Sequence, residues 1–191
     1  MYKLFIILLQ FLSGSIMYSY IFAKLANVDL SRYRDGNPGS SNLWRIKGWK
    51  FGFPAMILDF LKGIFPIILF KNIDNITLNI ALIAGIAGHA FSPWLNFKGG
   101  KSIAITFGAW TLATIGEAPI IMGSVLVLLK KLFNKEKSPE KDFIIFIIGY
   151  LFLIPYIILK KKYYLFILFI CNLLIILYKH KIEIKNIFVE G

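Results

Sequence analysis

Two short polar stretches hold the side chains that chemistry would need. The first runs Asp35-Gly-Asn-Pro-Gly-Ser-Ser-Asn42 and on to Arg45; the second is Phe97-Lys-Gly-Gly-Lys101. Gly36 and Gly39 let main-chain N–H groups approach an anion closely, and the Asn37 and Asn42 amides add neutral donors. Arg45 supplies a planar fork that suits phosphate oxygens. The same glycines, asparagines and proline also spell an ordinary turn. In the second stretch, Gly99 and Gly100 come directly before an apolar segment. Their N–H groups are therefore expected at a helix N-terminus, a ready anion site, with Lys101 adding a point charge. The spacing is not the G-x-x-x-x-G-K-S/T of a nucleoside-triphosphate loop. Phosphate binding without nucleotide specificity is the chemistry these residues offer.

Three further groups stand inside apolar sequence. His89 follows Gly85-x-x-Gly88, within a dozen residues of Lys101, and reads either as a packing histidine or as a base. Asp59 and Lys62 are three residues apart, so on a helix they face the same way and pair. A charge at mid-bilayer costs at least ~2.5–3.5 kcal/mol, so the pair either braces the helices or orients a loop of the site. Intramembrane charges also suit a small transporter, but no half-helix pair repeats across two halves of the chain. The single cysteine, Cys171, lies in an apolar run and offers neither a disulfide nor a metal cluster.

The elements that carry these groups follow from composition. Of 191 residues, 58% are hydrophobic and the mean hydropathy is +0.70, well above the ~45–50% apolar content of soluble domains. The expected fold is an all-α integral membrane protein of one domain. A bilayer-crossing helix needs about 20 residues, which places spans at 4–26, 51–70, 76–95, 102–116, 118–133, 143–159 and 163–178. The fourth and fifth are short and separated by Gly116-Glu-Ala-Pro119, so six spans with a re-entrant pair is the alternative count. A cleaved signal peptide ending at Ser13-Gly-Ser15 is disfavoured because apolar sequence continues to about Ala26. Residues 134–142 form the one conventionally hydrophilic linker.

Orientation follows from lysine and arginine placement. The connections 27–50, 96–101 and 130–142 and the C-terminal tail hold 15 of the 22 basic residues. The positive-inside rule then sets the N-terminus outside, with both glycine-bearing loops and the C-terminus in the cytoplasm. The Lys160–Lys162 triplet opposes this, since the same count places it outside. The net charge of +12 suits anionic lipid headgroups beside the spans, not nucleic acid.

Taken together and in order, these residues resemble the bacterial acyl-phosphate:glycerol-3-phosphate acyltransferases, the PlsY-type membrane enzymes. The matching positions run from Gly14-Ser15 through Asp29, Gly36-Asn-Pro-Gly39, Asn42, Arg45, Gly48 and Leu58-Asp-x-x-Lys-Gly63. They continue through Gly85-x-x-Gly88-His89 and Phe97-x-Gly-Gly-Lys101 to Gly108, so about residues 12–108 carry the likeness. The resemblance implies seven spans in a bacterial inner membrane with a cytoplasmic active site. It implies transfer of a fatty acyl group from acyl phosphate to the 1-hydroxyl of glycerol 3-phosphate, with no acyl-CoA, acyl-carrier protein, metal or cofactor. Arg45, Lys101, His89 and His180 would be catalytic. Gly36, Asn37, Gly39, Asn42, Gly99 and Gly100 would hold phosphate, with Asp59 and Lys62 as an orienting ion pair.

Two positions depart from that pattern. Asp35 stands where the family has serine, and Glu183 stands where a C-terminal His-x-x-Asn motif beginning at His180 would have asparagine. A carboxylate about 4 Å from a phosphate repels it by ~4 kcal/mol at an effective dielectric near 20. Asp35 therefore has to point away, pair with Arg34 or Arg45, or belong to a changed site. The alternative function is a catalytically altered relative that binds a phosphorylated lipid or headgroup.

Overall fold

The computed structural model describes residues 1–133 and 138–189, and every regular element among them is helical. Residues 134–137, with Lys135 and Lys137 of the hydrophilic linker, lie outside the described residues. The chain begins with α1 (Tyr2–Ser15) and α2 (Tyr18–Leu25), then α3 (Ser40–Lys47) and α4 (Trp49–Leu61). There follow α5 (Asn75–Ala90), α6 (Ile103–Thr114) and α7 (Glu117–Phe133). The last four are α8 (Pro139–Leu151), α9 (Leu153–Leu159), α10 (Phe166–Lys179) and α11 (Lys181–Val189).

Among the described residues, three helical stretches are long and apolar enough to cross a bilayer: Tyr2–Leu25, Asn75–Leu95 and Pro139–Leu159. A fourth candidate is α10 with α11, bent by 66° at their junction, and α6 is a shorter apolar helix. The expected single helix over 51–70 is not formed. α4 stops at Leu61, and the chain turns into a short 3-10 stretch at Ile67–Leu69. Pro66 accounts for the stop, because it lacks an N–H and clashes with a continuing helical turn. At Gly116-Glu-Ala-Pro119, Ile115 and Gly116 take positive φ (54° and 86°) and split the apolar sequence into α6 and α7.

Small residues let the helices approach closely, as membrane helix contacts require. A Cβ on Gly14 of α1 would stand 2.1 Å from the Gly85 carbonyl oxygen of α5, and one on Gly88 would stand 2.3 Å from the Phe11 oxygen. On the α4–α6 side, a Cβ on Gly108 would meet the Phe60 oxygen at 2.0 Å. Four of the glycines that carry the family likeness are thus contact points between backbones. The buried core is aromatic and aliphatic, with Trp110, Phe146, Tyr150 and Phe169 among its side chains. Inside it, the Tyr150 hydroxyl donates to the Phe169 carbonyl (3.0 Å).

The break between α1 and α2 frees backbone carbonyls that a bilayer cannot solvate. Lys62 Nζ donates to the Ile16 oxygen, and Ser92 Oγ donates to the Ser15 oxygen (2.7 Å). Lys62 is itself paired with Asp59 at 2.7 Å, both side chains being almost wholly buried. At another junction, Glu117, the first residue of α7, binds Lys160 Nζ (3.1 Å) and lies 3.6 Å from Lys162 Nζ. Two of the three lysines that oppose the charge count are therefore partly neutralised by one carboxylate.

Candidate active site

The loop before α3 is built around Asp35. Gly36 sits at φ +65°, a conformation glycine adopts without strain. Asp35 Oδ1 then accepts hydrogen bonds from Asn42 Nδ2 (2.8 Å) and the Asn37 N–H (3.3 Å). Asn42 Nδ2 also donates to the Asn37 carbonyl (3.1 Å), so this buried amide is engaged in holding the loop. Ser19 of α2 donates to the Pro38 carbonyl. Through α2, the loop is linked to the helix break that Lys62 caps. Arg45 lies in the last turn of α3 with Nη2 3.9 Å from Asp142 Oδ2 of α8.

The loop before α6 is built around His89. Gly100 donates its N–H to the His89 carbonyl (3.0 Å), and a Cβ on Gly100 would stand 2.3 Å from His89 Nε2. A Cβ on Gly99 would stand 2.0 Å from the His89 carbonyl oxygen. These glycines are packed on the histidine, and the Gly100 N–H expected to face an anion is already used. Lys179 Nζ braces the same loop from α10, donating to the Ala90 (2.9 Å) and Gly99 (2.8 Å) carbonyls. No sequence signal marked Lys179. The His89 ring is buried, with Nδ1 4.0 Å from Asp59 Oδ1.

The two loops and the C-terminal bend meet at Lys101. Its ammonium binds both Asp35 Oδ2 and Glu183 Oε1. The two residues that depart from the family pattern thus grip one lysine, and Asp35 pairs with neither Arg34 nor Arg45 in the way expected. Burial opposes ionisation of Asp35, but the hydrogen bonds from Lys101 and Asn42 more than offset it and hold its carboxyl below the usual range. His180, at the junction of α10 and α11, hydrogen-bonds through Nδ1 to the Ile176 carbonyl (2.8 Å). Its ring stacks on Phe143 with centroids 4.7 Å apart.

These groups enclose a cavity of about 270 Å³. Arg45, Lys101, His89, His180, Asn37, Gly39, Asn42 and Asp59 all reach its wall. Gly36, Gly99, Gly100 and Lys62 do not, and they act one layer back through the contacts described above. Asp35, Glu183, Arg34, Lys130 and Asp142 also line it. Cations and carboxylates are therefore interleaved around the space. Any anion entering it would share cations with carboxylates that already hold them.

A sequence model of the glycerol-3-phosphate acyltransferase family matches residues 4–190. The chain belongs to that family. It is 47% identical to glycerol-3-phosphate acyltransferase 1 of Thermotoga maritima over 97% of this chain and 98% of that one. Against the Clostridium acetobutylicum glycerol-3-phosphate acyltransferase the identity is 34% over 69% of this chain and 71% of that one. The fold is similar to the crystal structure of PlsY (YgiH), an integral membrane glycerol 3-phosphate acyltransferase, in its glycerol 3-phosphate form. There the TM-score is 0.82 and the identity 26%, over 100% of this chain and 94% of that one. The lysophosphatidic acid form of PlsY gives a TM-score of 0.81. As in those structures, the architecture here is that of a multi-pass membrane protein.

Proposed function

We propose that this chain transfers a fatty acyl group from acyl phosphate to the 1-hydroxyl of glycerol 3-phosphate, forming lysophosphatidate and inorganic phosphate. One observation carries the reading: Arg45 of α3 and Lys101 of the loop before α6, far apart in sequence, share the wall of one cavity with Asn37. Acyl phosphate is already activated, so no protein nucleophile is needed. The hydroxyl oxygen bonds to the acyl carbon, the carbon–oxygen bond to phosphate breaks, and phosphate leaves with the electron pair and ends with the hydroxyl proton. The protein's task is confinement, and positioning alone can supply ~7–11 kcal/mol. Arg45 and Lys101 then stabilise charge growing on the carbonyl oxygen and on the departing phosphate. His89 and Asp59 shape the wall between the loops.

The reading includes seven spans in a bacterial inner membrane, with the N-terminus outside and both loops on the cytoplasmic side. The basic-residue count favours this orientation, and the Glu117 contacts ease its one conflict. Neither acyl-CoA nor acyl-carrier protein has a role in it. Binding of a phosphorylated lipid without turnover is the weaker alternative, since a chain 47% identical over nearly its full length bears the enzyme's name.

The test is turnover by purified protein supplied with palmitoyl phosphate and glycerol 3-phosphate. Lysophosphatidate and phosphate should appear in equal amounts, and Lys101→Ala or Arg45→Ala should reduce the rate at least ~10²-fold, as loss of charge-stabilising donors does. No product at any substrate concentration refutes the proposal.

A further inference from the structure

The 66° bend between α10 and α11 turns Glu183 back into the cavity. Its side chain is only 4% exposed. Oε1 is taken by Lys101, whereas Oε2 is buried with no hydrogen-bond partner among the described residues. The other carboxylate on Lys101 has no such spare atom. Asp35 Oδ1 receives Asn42 and Asn37, and Oδ2 receives Lys101. Leaving a buried acceptor unpaired is costly, and more so when it is charged. A carboxylate oxygen in an anion-binding cavity therefore calls for a donor that arrives with the ligand. An ionised phosphate offers acceptors almost alone, while glycerol 3-phosphate brings two alcohol hydroxyls beside its phosphate.

We propose that Glu183 Oε2 accepts a hydrogen bond from an alcohol hydroxyl of the acceptor substrate, while Arg45 and Asn37 hold that substrate's phosphate. The inference rests on the acyl-transfer reading only for the identity of this substrate. A carboxylate in this role distinguishes a phosphorylated polyol from bare phosphate. It also gives the Glu183–Lys101–Asp35 arrangement a use: Lys101 aims Glu183, and Asp35 secures Lys101.

The test compares binding of glycerol 3-phosphate, 3-hydroxypropyl phosphate and inorganic phosphate to the purified full chain by calorimetry, without acyl donor. On electrostatics alone, removing a carboxylate beside Lys101 strengthens binding of all three anions together. On the proposal, Glu183→Leu leaves inorganic phosphate binding unchanged or tighter while glycerol 3-phosphate binding weakens about tenfold or more relative to it, as loss of a charge-assisted bond requires. Glu183→Gln, closer in shape, should shift the same ratio in the same direction if Glu183→Leu does not fold. With 3-hydroxypropyl phosphate, a persisting loss assigns the reactive 1-hydroxyl as donor, and a vanished loss assigns the 2-hydroxyl. Equal changes for glycerol 3-phosphate and phosphate in the Glu183 variants overturn the inference, as does wild-type protein that binds both equally. Because no donor is present, absent turnover in the separate assay would sink the transfer reaction and leave this contrast standing.

Discussion

Gly100→Ala tests whether the second glycine loop acts through His89. The added methyl would stand 2.3 Å from His89 Nε2 and 3.2 Å from the two neighbouring ring carbons. Non-bonded heavy atoms settle near ~3.5 Å, so the ring or the loop has to give by about 1 Å. The ring has little freedom, being 4% exposed with Nδ1 facing Asp59. The loop is tied to the same residue by the Gly100 N–H bond to the His89 carbonyl. The displacement therefore passes to Lys101, the next residue along. A misplacement of about 1 Å in a catalytic group lowers rate by ~10²-fold, equivalent to roughly 2.7 kcal/mol of transition-state stabilisation. Overpacking should cost a further 1–3 kcal/mol or so of stability. The assay measures kcat/KM for lysophosphatidate formation alongside the thermal midpoint in detergent. Gly123→Ala on α7 is the control, because nothing lies within 4 Å of its Cβ position; it should match wild type in activity. A Gly100→Ala protein that folds and works within about threefold of wild type would refute the argument that this glycine exists to admit the imidazole.

Other outcomes follow from the same contacts. Lys62→Met strands Asp59 in a buried setting and frees the Ile16 carbonyl, so the unfolding free energy should drop by about 3–5 kcal/mol; adding Asp59→Asn should recover part of it, and a single variant as stable as wild type contradicts the pairing. Asp35 is held below its unfolded value of 3.8, so its stabilising effect is complete above that value and is lost as pH falls through the lower folded one. The difference in thermal midpoint between wild type and Asp35→Asn should then be flat from about pH 8 to about pH 5 and shrink only below about pH 4; a change near neutrality argues against it. For orientation, both Lys50 and Lys161 are exposed. In a Cys171→Ser background, an impermeant maleimide added to intact cells should label Lys161→Cys and spare Lys50→Cys, and the reverse pattern inverts the topology.

What the sequence made legible was local, and what it hid was long-range. The Asp59–Lys62 pair needs only helical periodicity, because side chains three residues apart share a face. Apolar length located the helices, although Pro66 ended α4 earlier than hydropathy alone indicates. Gly99 and Gly100 stand out in the sequence as anion donors, but the space at Gly100 is occupied by the His89 imidazole and its N–H is spent on the His89 carbonyl. Glycine that admits an anion and glycine that admits an imidazole look alike until the neighbour is known. Asp35 shows the limit most clearly. Read alone, it threatens a bound phosphate with ~4 kcal/mol of repulsion. Its partner Lys101 lies 66 residues away, and the second carboxylate on that lysine lies 82 away. Only packing of the helices brings them together. With both carboxylates attached, the Lys101 cluster carries a net −1, so Lys101 does not act on an incoming phosphate as an isolated cation. Arg45, 3.9 Å from Asp142, is the less committed cation and thus the better first contact.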